Sequence, residues 1–472
     1  MVDRRTKIVA TLGPASDSAE VIDGLVAAGV DVVRCNAAHG TVVTHGRAAE
    51  LTRAAAARHG RIVGILVDLP GPKLRTGPVE DDVVYLDAGQ TFTLVGHDIE
   101  GDELHVSTTI DSLADMVEPG TTVFLADGEI VLRAEAVRDR DVICTVLRGG
   151  ALRSRKGMYV PGVEHRVAAF TDADAMAIDM ALEIKADFIG LSFVRNAEDV
   201  ERVRERLPKR GPSPSLVAKI ETGASLDHLD EIARAADALM VARGDLGIQV
   251  DIARVPLIQK DLIGIANRSG TPVITATQVL TSMTRSPIPT RAEVTDVANA
   301  VLDGTDALML SEETAVGSYP VLTVQTMAHI AATAEEWPRQ HAMPQELLAA
   351  DDSVSWAVAH ATAEAATDLD VAAILCPTRT GATPRRVAAF RPRVPVIACS
   401  DREDTLARCT LLHGVYPVSI PFLEPGDVEI ERCIDAAKAG GFVQRDEFVV
   451  VASANPGPRA GSTDALRVIR VK

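Results

Sequence analysis

The stretch RIVGILVDLPGPKLRTG, residues 61–77, carries the pattern on which the fold prediction depends. Its first half is a continuous apolar run, which is typical of a strand buried on both faces. The run breaks into a turn at residues 70–72, PGP, because proline and glycine disfavour a continued strand. Asp68 and Lys73 lie at and just beyond the carboxyl end of this strand, so charged groups begin where the apolar run stops.

Seven further apolar runs repeat this pattern and alternate with Ala-rich helical stretches such as SAEVIDGLVAAG at 18–29. Continuous apolar strands separated by helices indicate a parallel sheet that is covered on both faces. Eight such units predict an α/β fold of the (β/α)8 TIM barrel type. In chain order the eight runs are TKIVATLG, DVVRCN, RIVGILVDL, DFIGLSFV, SLVAKIE, ALMVARGDLG, TPVITATQ and ALMLSEET.

Residues 78–160 interrupt the barrel pattern. Here apolar and polar residues alternate with period two between frequent turn signals, which predicts an all-β insertion after the third strand. The segments are VVYLDAGQTFTLVG, TTVFLADGEIVLRAEAV and RDVICTVLRGG.

A new α/β pattern begins after about residue 340, with VAAILCPT, VPVIACS and EFVVVAS as its strands. It fits a separate C-terminal domain, and the polar, Pro-containing segment at 335–352 is the predicted linker region. The predicted division is a catalytic barrel over 1–77 and 161–340, a β-barrel lid over 78–160, and a C-terminal α/β domain over 341–472.

Composition and charge exclude several classes of protein. The chain has 472 residues, 66 acidic against 48 basic residues, and only 3% aromatic residues. It therefore lacks the basic footprint and the stacking platforms of a nucleic-acid-binding protein. No apolar run approaches the roughly eighteen residues that a membrane span needs. The N-terminus has no signal-peptide core, and the six cysteines show no zinc spacing, so we predict a cytoplasmic protein.

Charged and polar residues are concentrated at the predicted carboxyl ends of the strands, where a barrel carries its active site. A solvated rim explains any one of these residues as well as a site does, but it does not explain the whole set. The set is Arg34, Asn36, Asp68, Lys73, Arg75, Lys219, Glu221, Arg243, Asp245, Thr277, Ser311 and Glu313.

Lys219 and Glu221 are two residues apart on one strand, so their side chains face the same side. Glu221 and Asp245, at the ends of neighbouring strands, can together hold a hard divalent cation such as Mg2+, with water and substrate oxygens completing the shell. An ion pair between Lys219 and Glu221 at the barrel mouth is the alternative. The Arg-Gly-Asp tripeptide at 243–245 follows an apolar strand, which argues against an adhesion motif on an exposed loop.

Nearly the whole chain resembles pyruvate kinase, of the bacterial type with a lysine-containing, potassium-independent pattern. The motifs occur in that family's order, and the string of them is far more specific than any single one. They are TKIVATLGPAS, GPKLRTG, ADGEIVL with SRKGMYVPG, AKIETGAS, MVARGDLG, ATQVLTSM, PTRAEVTDVANAVLDGTDALMLSEETAVGSYP and GSTDALRVIRV.

The resemblance implies a glycolytic phosphotransferase that passes the phosphoryl group of phosphoenolpyruvate to ADP, giving pyruvate and ATP. It implies that Lys219 stabilises the transferring phosphoryl group and the enolate, and that Arg34 binds the phosphate. Thr277 would belong to the network that delivers a proton to the enolate carbon. The backbone N–H groups of Gly244 and Asp245 would meet the substrate carboxylate. Both substrates are multiply anionic, so positioning and charge neutralisation are the chemistry required.

The resemblance also implies a metal site and a nucleotide site. Glu221 and Asp245 would hold Mg2+ (or Mn2+) between substrate and phosphate. The positions that match nucleotide and phosphate contacts are Asn36, His39, Arg75 and Lys156, with Lys156 arriving from the lid hinge. For His39, a capping or packing role before Gly40 is the alternative.

Three departures from the family pattern concern the monovalent-cation site and the lid. Potassium-dependent members have serine where this chain has Ala38, and threonine and glutamate where it has Leu69 and Lys73. Lys73, beside Asp68, is therefore the expected internal substitute for K+, which would not be required. A solvated turn lysine is the alternative. The lid-return segment VEHRVAAFTDAD at 163–174 lacks the usual Leu-Pro of the family.

Two further segments have both a structural and a functional interpretation. Thr290 and Glu293 in PTRAE form the spacing of a capping box that opens a helix, with Arg291 expected near a subunit contact. CPTRTGATPRR lies between a strand and a helix, where hydroxyls and a glycine suit a phosphate. The family keeps a sugar-phosphate or nucleotide effector site there, and a plain helix cap is the alternative. The expected effector residues are Thr378, Arg379, Thr380, Gly381 and Thr383.

The resemblance further implies an allosteric homotetramer. Two rival functions share part of this pattern: a non-catalytic regulatory paralogue that binds phosphoenolpyruvate or nucleotide, and another barrel enzyme of the phosphoenolpyruvate/pyruvate group. A binding module needs no proton relay such as Thr277, and the second rival would lack the lid that faces ADP.

Overall fold

The computed structural model describes residues 4–110, 112–126, 128–163, 170–209, 211–337, 353–421, 427–454 and 463–472. Most of the predicted linker, from 338 to 352, and residues 164–169 of the lid-return segment lie outside the described residues. Within the described residues, no helix combines the length and apolar character that crossing a membrane requires.

The chain opens with two β–α units and a third strand. The elements are β1 (Lys7–Thr11), α1 (Ala19–Ala28), β2 (Val32–Asn36), α2 (Val42–Arg58) and β3 (Gly64–Asp68). The sequence dictates the helix limits locally: the Ser18 side chain accepts a hydrogen bond from Val21 N at the start of α1, and Gly29 ends the helix in the left-handed region.

An inserted β-unit follows β3 and carries one short helix. Its elements are β4 (Val83–Leu86), β5 (Thr91–Val95), β6 (His105–Ser107), α3 (Leu113–Met116), β7 (Thr122–Leu125), β8 (Ile130–Arg138), β9 (Asp141–Arg148), β10 (Gly150–Arg153) and β11 (Met158–Tyr159). They form a six-stranded sheet in the order β11-β7-β8-β9-β5-β6 and a two-stranded sheet of β10 and β4. Alternate residues of these strands fill a separate apolar core around Phe92 and Leu132, as the period-two pattern predicts.

The chain then completes the barrel. The elements are α4 (Asp172–Glu183), β12 (Phe188–Leu191), α5 (Ala197–Arg204), β13 (Ser215–Ile220), α6 (Leu229–Ala235), β14 (Ala238–Ala242), α7 (Arg243–Gln249), α8 (Val255–Ser269), β15 (Val273–Ala276), α9 (Arg291–Asp303), β16 (Ala307–Leu310), α10 (Glu312–Ala315) and α11 (Pro320–Glu336). The predicted capping box between Thr290 and Glu293 is confirmed at the start of α9.

Eight parallel strands close the barrel in the order β1-β16-β15-β14-β13-β12-β3-β2. All eight predicted runs supply these strands, and the predicted TIM barrel with an inserted β-lid is confirmed. One buried cluster packs the strands against the surrounding helices. A second cluster fills the barrel interior with side chains such as Val9, Leu66 and Met240.

The C-terminal unit is a five-stranded α/β layer. Its elements are α12 (Ser353–Asp368), β17 (Ala373–Pro377), α13 (Ala382–Ala389), β18 (Val396–Ser400), α14 (Glu403–Arg408), β19 (Val415–Ser419), α15 (Asp427–Ala439), β20 (Phe448–Ser453) and β21 (Ala465–Arg470). The strand order is β19-β18-β17-β20-β21. Leu411 of this unit joins the barrel-interior cluster, so the unit packs against the barrel itself. The predicted C-terminal α/β domain is confirmed, and the exact domain limits stay a prediction.

Candidate active site

Parallel strands bring the predicted site residues together at one end of the barrel. Asn36 pairs in register with Asp68, and Asp68 pairs with Gly190 on the other side. A Cβ atom at Gly190 would lie 2.7 Å from Asp68 Oδ1, so only glycine leaves room for this buried carboxylate. The strand register therefore places Asp68 between β2 and β12 at the carboxyl end of the barrel.

Asp68 pairs with two cations. Its Oδ2 accepts from Arg34 Nε at 2.8 Å and lies 2.6 Å from Arg34 Nη2, so two guanidinium nitrogens converge on one carboxylate oxygen. Its Oδ1 lies 3.1 Å from Lys219 Nζ. Burial alone would raise the pKa of Asp68, but Lys219 and Arg34 outweigh burial and lower it. Asp68 is therefore an ionised anchor for the two predicted phosphate-binding cations.

Lys219 is buried and surrounded by oxygens. Its Nζ lies 3.0 Å from Glu221 Oε1, so the predicted same-side placement on the strand is confirmed, and it donates to Ser192 Oγ at 2.8 Å. Burial lowers the pKa of Lys219, but Asp68 and Glu221 overcome that effect and raise the pKa above its usual value. The side chain is therefore a permanent positive charge at the centre of the site.

Glu221 and Asp245 are the two carboxylates predicted to hold a metal. Burial raises the pKa of Glu221; Lys219 opposes this, while the Asp245 and Asp68 carboxylates raise it further. This repulsion shows that Glu221 and Asp245 lie close enough to affect each other electrostatically. Glu221 Oε2 accepts from Phe193 N at 2.8 Å, which holds that carboxylate in place.

The donor set fits a divalent cation that also takes oxygens from substrate and water. Among the described residues, no group of three or more His, Cys, Asp or Glu side chains forms a cage of its own. Two carboxylates are typical of Mg2+ sites completed by phosphate and water. Three cationic side chains, Arg34, Lys219 and Lys73, thus lie against three carboxylates, Asp68, Glu221 and Asp245.

Lys73 lies against Asp245, whereas the sequence analysis placed it beside Asp68. Its Nζ donates to Asp245 Oδ1 at 2.5 Å. The reason lies in the turn and in the pairing of Asp68. The left-handed Gly71, with φ of 66°, redirects the chain, and Asp68 already pairs with Arg34 and Lys219. The Lys73 ammonium is thus inside the site, next to the metal-ligand candidate.

Thr277 adopts a backbone conformation that is rare for a β-branched residue, with φ of 62°. The Arg243 guanidinium holds it by donating from Nη2 to Thr277 O at 2.8 Å. Thr277 Oγ1 donates to Ala276 O at 2.7 Å and accepts from Gly244 N at 2.8 Å. The Gly244 N–H, expected to meet the substrate carboxylate, therefore has an internal partner that a carboxylate would share or displace.

The predicted nucleotide residues form two separate groups. Arg75 and Lys156 lie on the two adjacent hinge segments of the lid, which are joined by an isolated β-bridge between Arg75 and Gly157 and by the hydrogen bond from Thr76 N to Lys156 O at 2.9 Å. Asn36 ends β2 and His39 lies in the loop that follows, where Asn36 Oδ1 accepts from Ala38 N at 3.2 Å. Within the described part of the chain, no hydrogen bond or ion pair joins the two groups.

A cleft of about 720 Å3 separates the lid from the barrel beside Asp245 and Lys73. On the lid side, the rings of Phe124 and Tyr159 stack with centroids 5.9 Å apart. Phe193 on the barrel side also lines the cleft. An apolar cleft next to charged groups excludes water when a lid closes, which strengthens electrostatic interactions inside.

The predicted effector loop lies between β17 and α13, as expected. Thr378 Oγ1 accepts from Gly381 N at 2.9 Å, and Thr383 Oγ1 lies 2.8 Å from Thr463 Oγ1. Gly381, with φ of 83°, is the helix cap and makes no side-chain capping bond. The loop is thus an ordered turn that includes Arg379 and Thr380.

Ser192 is a site residue that the sequence analysis missed. It follows β12 directly in DFIGLSFV, so it is a polar residue at a strand's carboxyl end, which is the signal that identified the others. Its hydroxyl contacts Lys219, which the sequence pattern alone did not reveal.

Two protein-family models match this chain, one over the barrel and one over the C-terminal unit. The model of the pyruvate kinase barrel domain matches residues 3–324, and that of the pyruvate kinase alpha/beta domain matches residues 356–469. A pyruvate kinase from Thermococcus litoralis is 41% identical over 99% of this chain and 98% of its own. One from Geobacillus stearothermophilus is 42% identical over 98% of this chain and 80% of its own.

A solved structure supports the same assignment. The crystal structure of a pyruvate kinase from Cryptosporidium parvum covers 100% of this chain and 97% of its own, with a TM-score of 0.90 and 32% sequence identity. Sequence relatives and fold thus agree along the full length, including the lid. The chain belongs to the pyruvate kinase family.

Proposed function

We propose that this chain catalyses the pyruvate kinase reaction of glycolysis, in which the phosphoryl group of phosphoenolpyruvate passes to ADP and gives pyruvate and ATP. The observation that carries the proposal is the connected set Arg34–Asp68–Lys219–Glu221 at the carboxyl end of the barrel strands. A fixed cation at the transferring group and a second that binds the phosphate are what phosphoryl transfer requires.

In this proposal Arg34 and Lys219 are the catalytic cations. Arg34, whose Nε and Nη2 both contact Asp68 Oδ2, binds the phosphoryl group. Lys219 stabilises the charge on the transferring group and then on the enolate oxygen. Thr277 belongs to the network that delivers a proton to the enolate carbon, and its hydroxyl is held by Ala276 O and Gly244 N.

Glu221 and Asp245 would hold Mg2+ (or Mn2+). When bound, the cation supplies Lewis-acid polarisation of the substrate oxygens and offsets their charge. The Gly244 and Asp245 N–H groups orient the carboxylate of phosphoenolpyruvate. Lys73 supplies a fixed charge beside Asp245 and would take the place of a bound monovalent cation.

The nucleotide would lie between the loop after β2 and the lid hinge. Asn36 and His39 approach from the barrel, and Arg75 and Lys156 from the two hinge segments. ADP would then bring these two groups together as the lid closes over the cleft. For His39, capping or packing before Gly40 is still the alternative.

The rival functions are less well supported. A regulatory paralogue that only binds ligands would not need Lys219, Glu221 and Thr277 together in one site. A different phosphoenolpyruvate enzyme on a barrel would not need the lid. The matches to pyruvate kinases extend along nearly the whole chain.

The proposal is tested by following pyruvate formation from phosphoenolpyruvate and ADP with lactate dehydrogenase and NADH. Pyruvate is expected with Mg2+ or Mn2+ and not after treatment with EDTA. Restoration by added Mg2+ is the control for irreversible damage. Absence of pyruvate at every metal concentration, with a folded chain, would refute the proposal.

We further propose a homotetramer. Ile252, Leu257 and Ile288 are large apolar residues exposed near the α8–α9 face. At the edge of the C-terminal sheet, β21 also exposes Val468. A two-fold contact would cover such faces. Light scattering is expected to give four times the chain mass, and a stable monomer at micromolar concentration would contradict the prediction.

A sugar phosphate or a nucleoside monophosphate is expected to change the phosphoenolpyruvate saturation curve through the loop at 378–383. The loop offers hydroxyls and Arg379 before α13. The measurement compares saturation curves over a panel of these phosphates, with Thr380→Ala as the matched variant that should respond less. Unchanged curves across the panel would remove the effector proposal.

A further inference from the structure

The loop after β12 contacts both members of the Lys219–Glu221 pair. Lys219 Nζ donates to Ser192 Oγ at 2.8 Å, and Phe193 N donates to Glu221 Oε2 at 2.8 Å. Phe193 makes this contact with φ of 56°, a conformation that a bulky residue adopts only where its surroundings require it. The backbone of this loop is therefore fixed against the catalytic pair.

The Ser192 hydroxyl makes two hydrogen bonds in opposite directions. It accepts from Lys219, and it donates to Leu69 O at 2.7 Å. A serine hydroxyl has a single proton to donate, so the bond to Leu69 turns a lone pair towards the ammonium. Leu69 directly follows β3 and begins the chain segment that leads to the lid. Ser192 thus connects Lys219 with the outgoing lid hinge.

The hinge is packed tightly on Ser192. Gly71 has φ of 66°, and a Cβ atom there would lie 2.5 Å from Ser192 Cβ, so no side chain fits. Gly71 N donates to Asp174 Oδ1 at 2.8 Å. Asp174 belongs to the capping box of α4, just after the chain returns from the lid. The outgoing and returning segments therefore meet beside Ser192.

The ammonium of Lys219 has three N–H donors, and three oxygens surround it: Asp68 Oδ1, Glu221 Oε1 and Ser192 Oγ. Asp68 is held by Arg34, and Glu221 is a metal-ligand candidate that a bound cation would attract. Ser192 is the only neutral residue of these three, and its hydroxyl donates to Leu69 O of the hinge and not to a charged group. The Ser192 hydroxyl therefore keeps one N–H bond of the Lys219 ammonium pointing the same way when the charges around Lys219 change.

We infer that Ser192 is a positioning residue for phosphoryl transfer, which fixes the Lys219 ammonium and links its position to the lid hinge. This inference rests on the proposed function. Its action runs through Lys219, so Ser192 itself does not need to touch the substrate.

Ser192→Ala removes the hydrogen bond and leaves the other two partners of Lys219. The kcat is expected to fall roughly 10- to 100-fold, the scale of one hydrogen bond to a charged group. The KM for ADP should change little, because Lys219 acts at the transferring group. Ser225→Ala is the matched control: Ser225 is buried and donates to Thr222 O at 2.6 Å. Its kcat and KM should be unchanged.

A double-mutant cycle separates positioning from general structural support. In the Lys219→Met background, Ser192→Ala is expected to have no further effect on kcat, because the group that it positions is gone. A purely structural role would leave the two losses additive in free energy, and full additivity would overturn the inference.

The failures of the two proposals are distinguishable. An unmodified chain that makes no pyruvate refutes the proposed function. An active chain whose Lys219→Met variant is slow, but whose Ser192→Ala variant keeps its kcat, refutes only the role of Ser192. If Ser192→Ala does not fold by circular dichroism, Ser192→Cys retains a weak donor of similar size. An intermediate kcat for that variant supports the role, and an unchanged kcat contradicts it.

Discussion

Replacing Lys219 with methionine is expected to lower turnover by at least about 10²- to 10³-fold, the scale of losing one preorganised charge-stabilising donor. Methionine keeps much of the length of the side chain and removes its charge. Phosphoenolpyruvate should still bind, because Arg34 remains held by Asp68 and the metal ligands remain. The measurement is kcat from initial rates of pyruvate formation, together with substrate binding by calorimetry.

Lys209→Met is the control for this substitution, because Lys209 is exposed after α5 and lies outside the strand-end set. Its kcat should equal that of the unmodified chain. A Lys219→Met enzyme with near-normal turnover would contradict the assigned role, whatever its affinity for phosphoenolpyruvate.

The second large effect concerns Lys73 and potassium. The unmodified enzyme is expected to be fully active with tetramethylammonium or Tris as the sole monovalent cation. Lys73→Glu should lower activity at least tenfold, because a like charge would then face Asp245. At ~4 Å and an effective dielectric near 20, one such charge pair is worth about 4 kcal/mol before desolvation.

Potassium should restore only part of the activity of Lys73→Glu. The side chains of Ala38 and Leu69 have no oxygen, and Asp68 is already paired with Arg34 and Lys219. Lys73→Met loses the charge without reversing it. Its activity should lie between that of the unmodified enzyme and that of Lys73→Glu. Many-fold activation of the unmodified enzyme by K+ would show that Lys73 does not serve as the internal cation.

The barrel was predictable because its strands are largely buried on both faces and therefore appear as mainly apolar runs. Two strands of the C-terminal unit were not predicted, and both lie at sheet edges. β19 contains Pro417, which cannot donate to a ladder and weakens a strand pattern. β21 pairs antiparallel with β20 and keeps polar residues such as Arg467 and Arg470, so its apolar signal is weak.

The site residues that lie on strands were predictable because the period of a strand determines which way each side chain points. The two-residue spacing of Lys219 and Glu221 determines their shared direction, and their 3.0 Å contact follows from it. The ion pair between Lys219 and Glu221, which is the alternative to a metal site, is therefore present together with the two metal-ligand candidates. The spacing does not reveal that Asp68 joins the same lysine from two strands away around the barrel.

Loop residues were harder to predict. The direction of Lys73 depends on the left-handed turn at Gly71, and a separation of five residues from Asp68 carries no such information. The contact between Ser192 and Leu69 was equally hidden in the sequence, because the two residues are 123 positions apart in the chain. Both contacts form only when loops from different strands pack over the end of the barrel.

The most direct test of the central claim is 31P NMR of the purified chain with phosphoenolpyruvate, ADP and Mg2+, in a buffer free of K+. The signal of phosphoenolpyruvate is expected to disappear as the γ-phosphate signal of ATP appears in equal amount, and Lys219→Met should show the same conversion far more slowly. Perturbed signals of bound phosphoenolpyruvate without any ATP, even after K+ is added, would contradict the account and indicate a binding protein without catalytic activity.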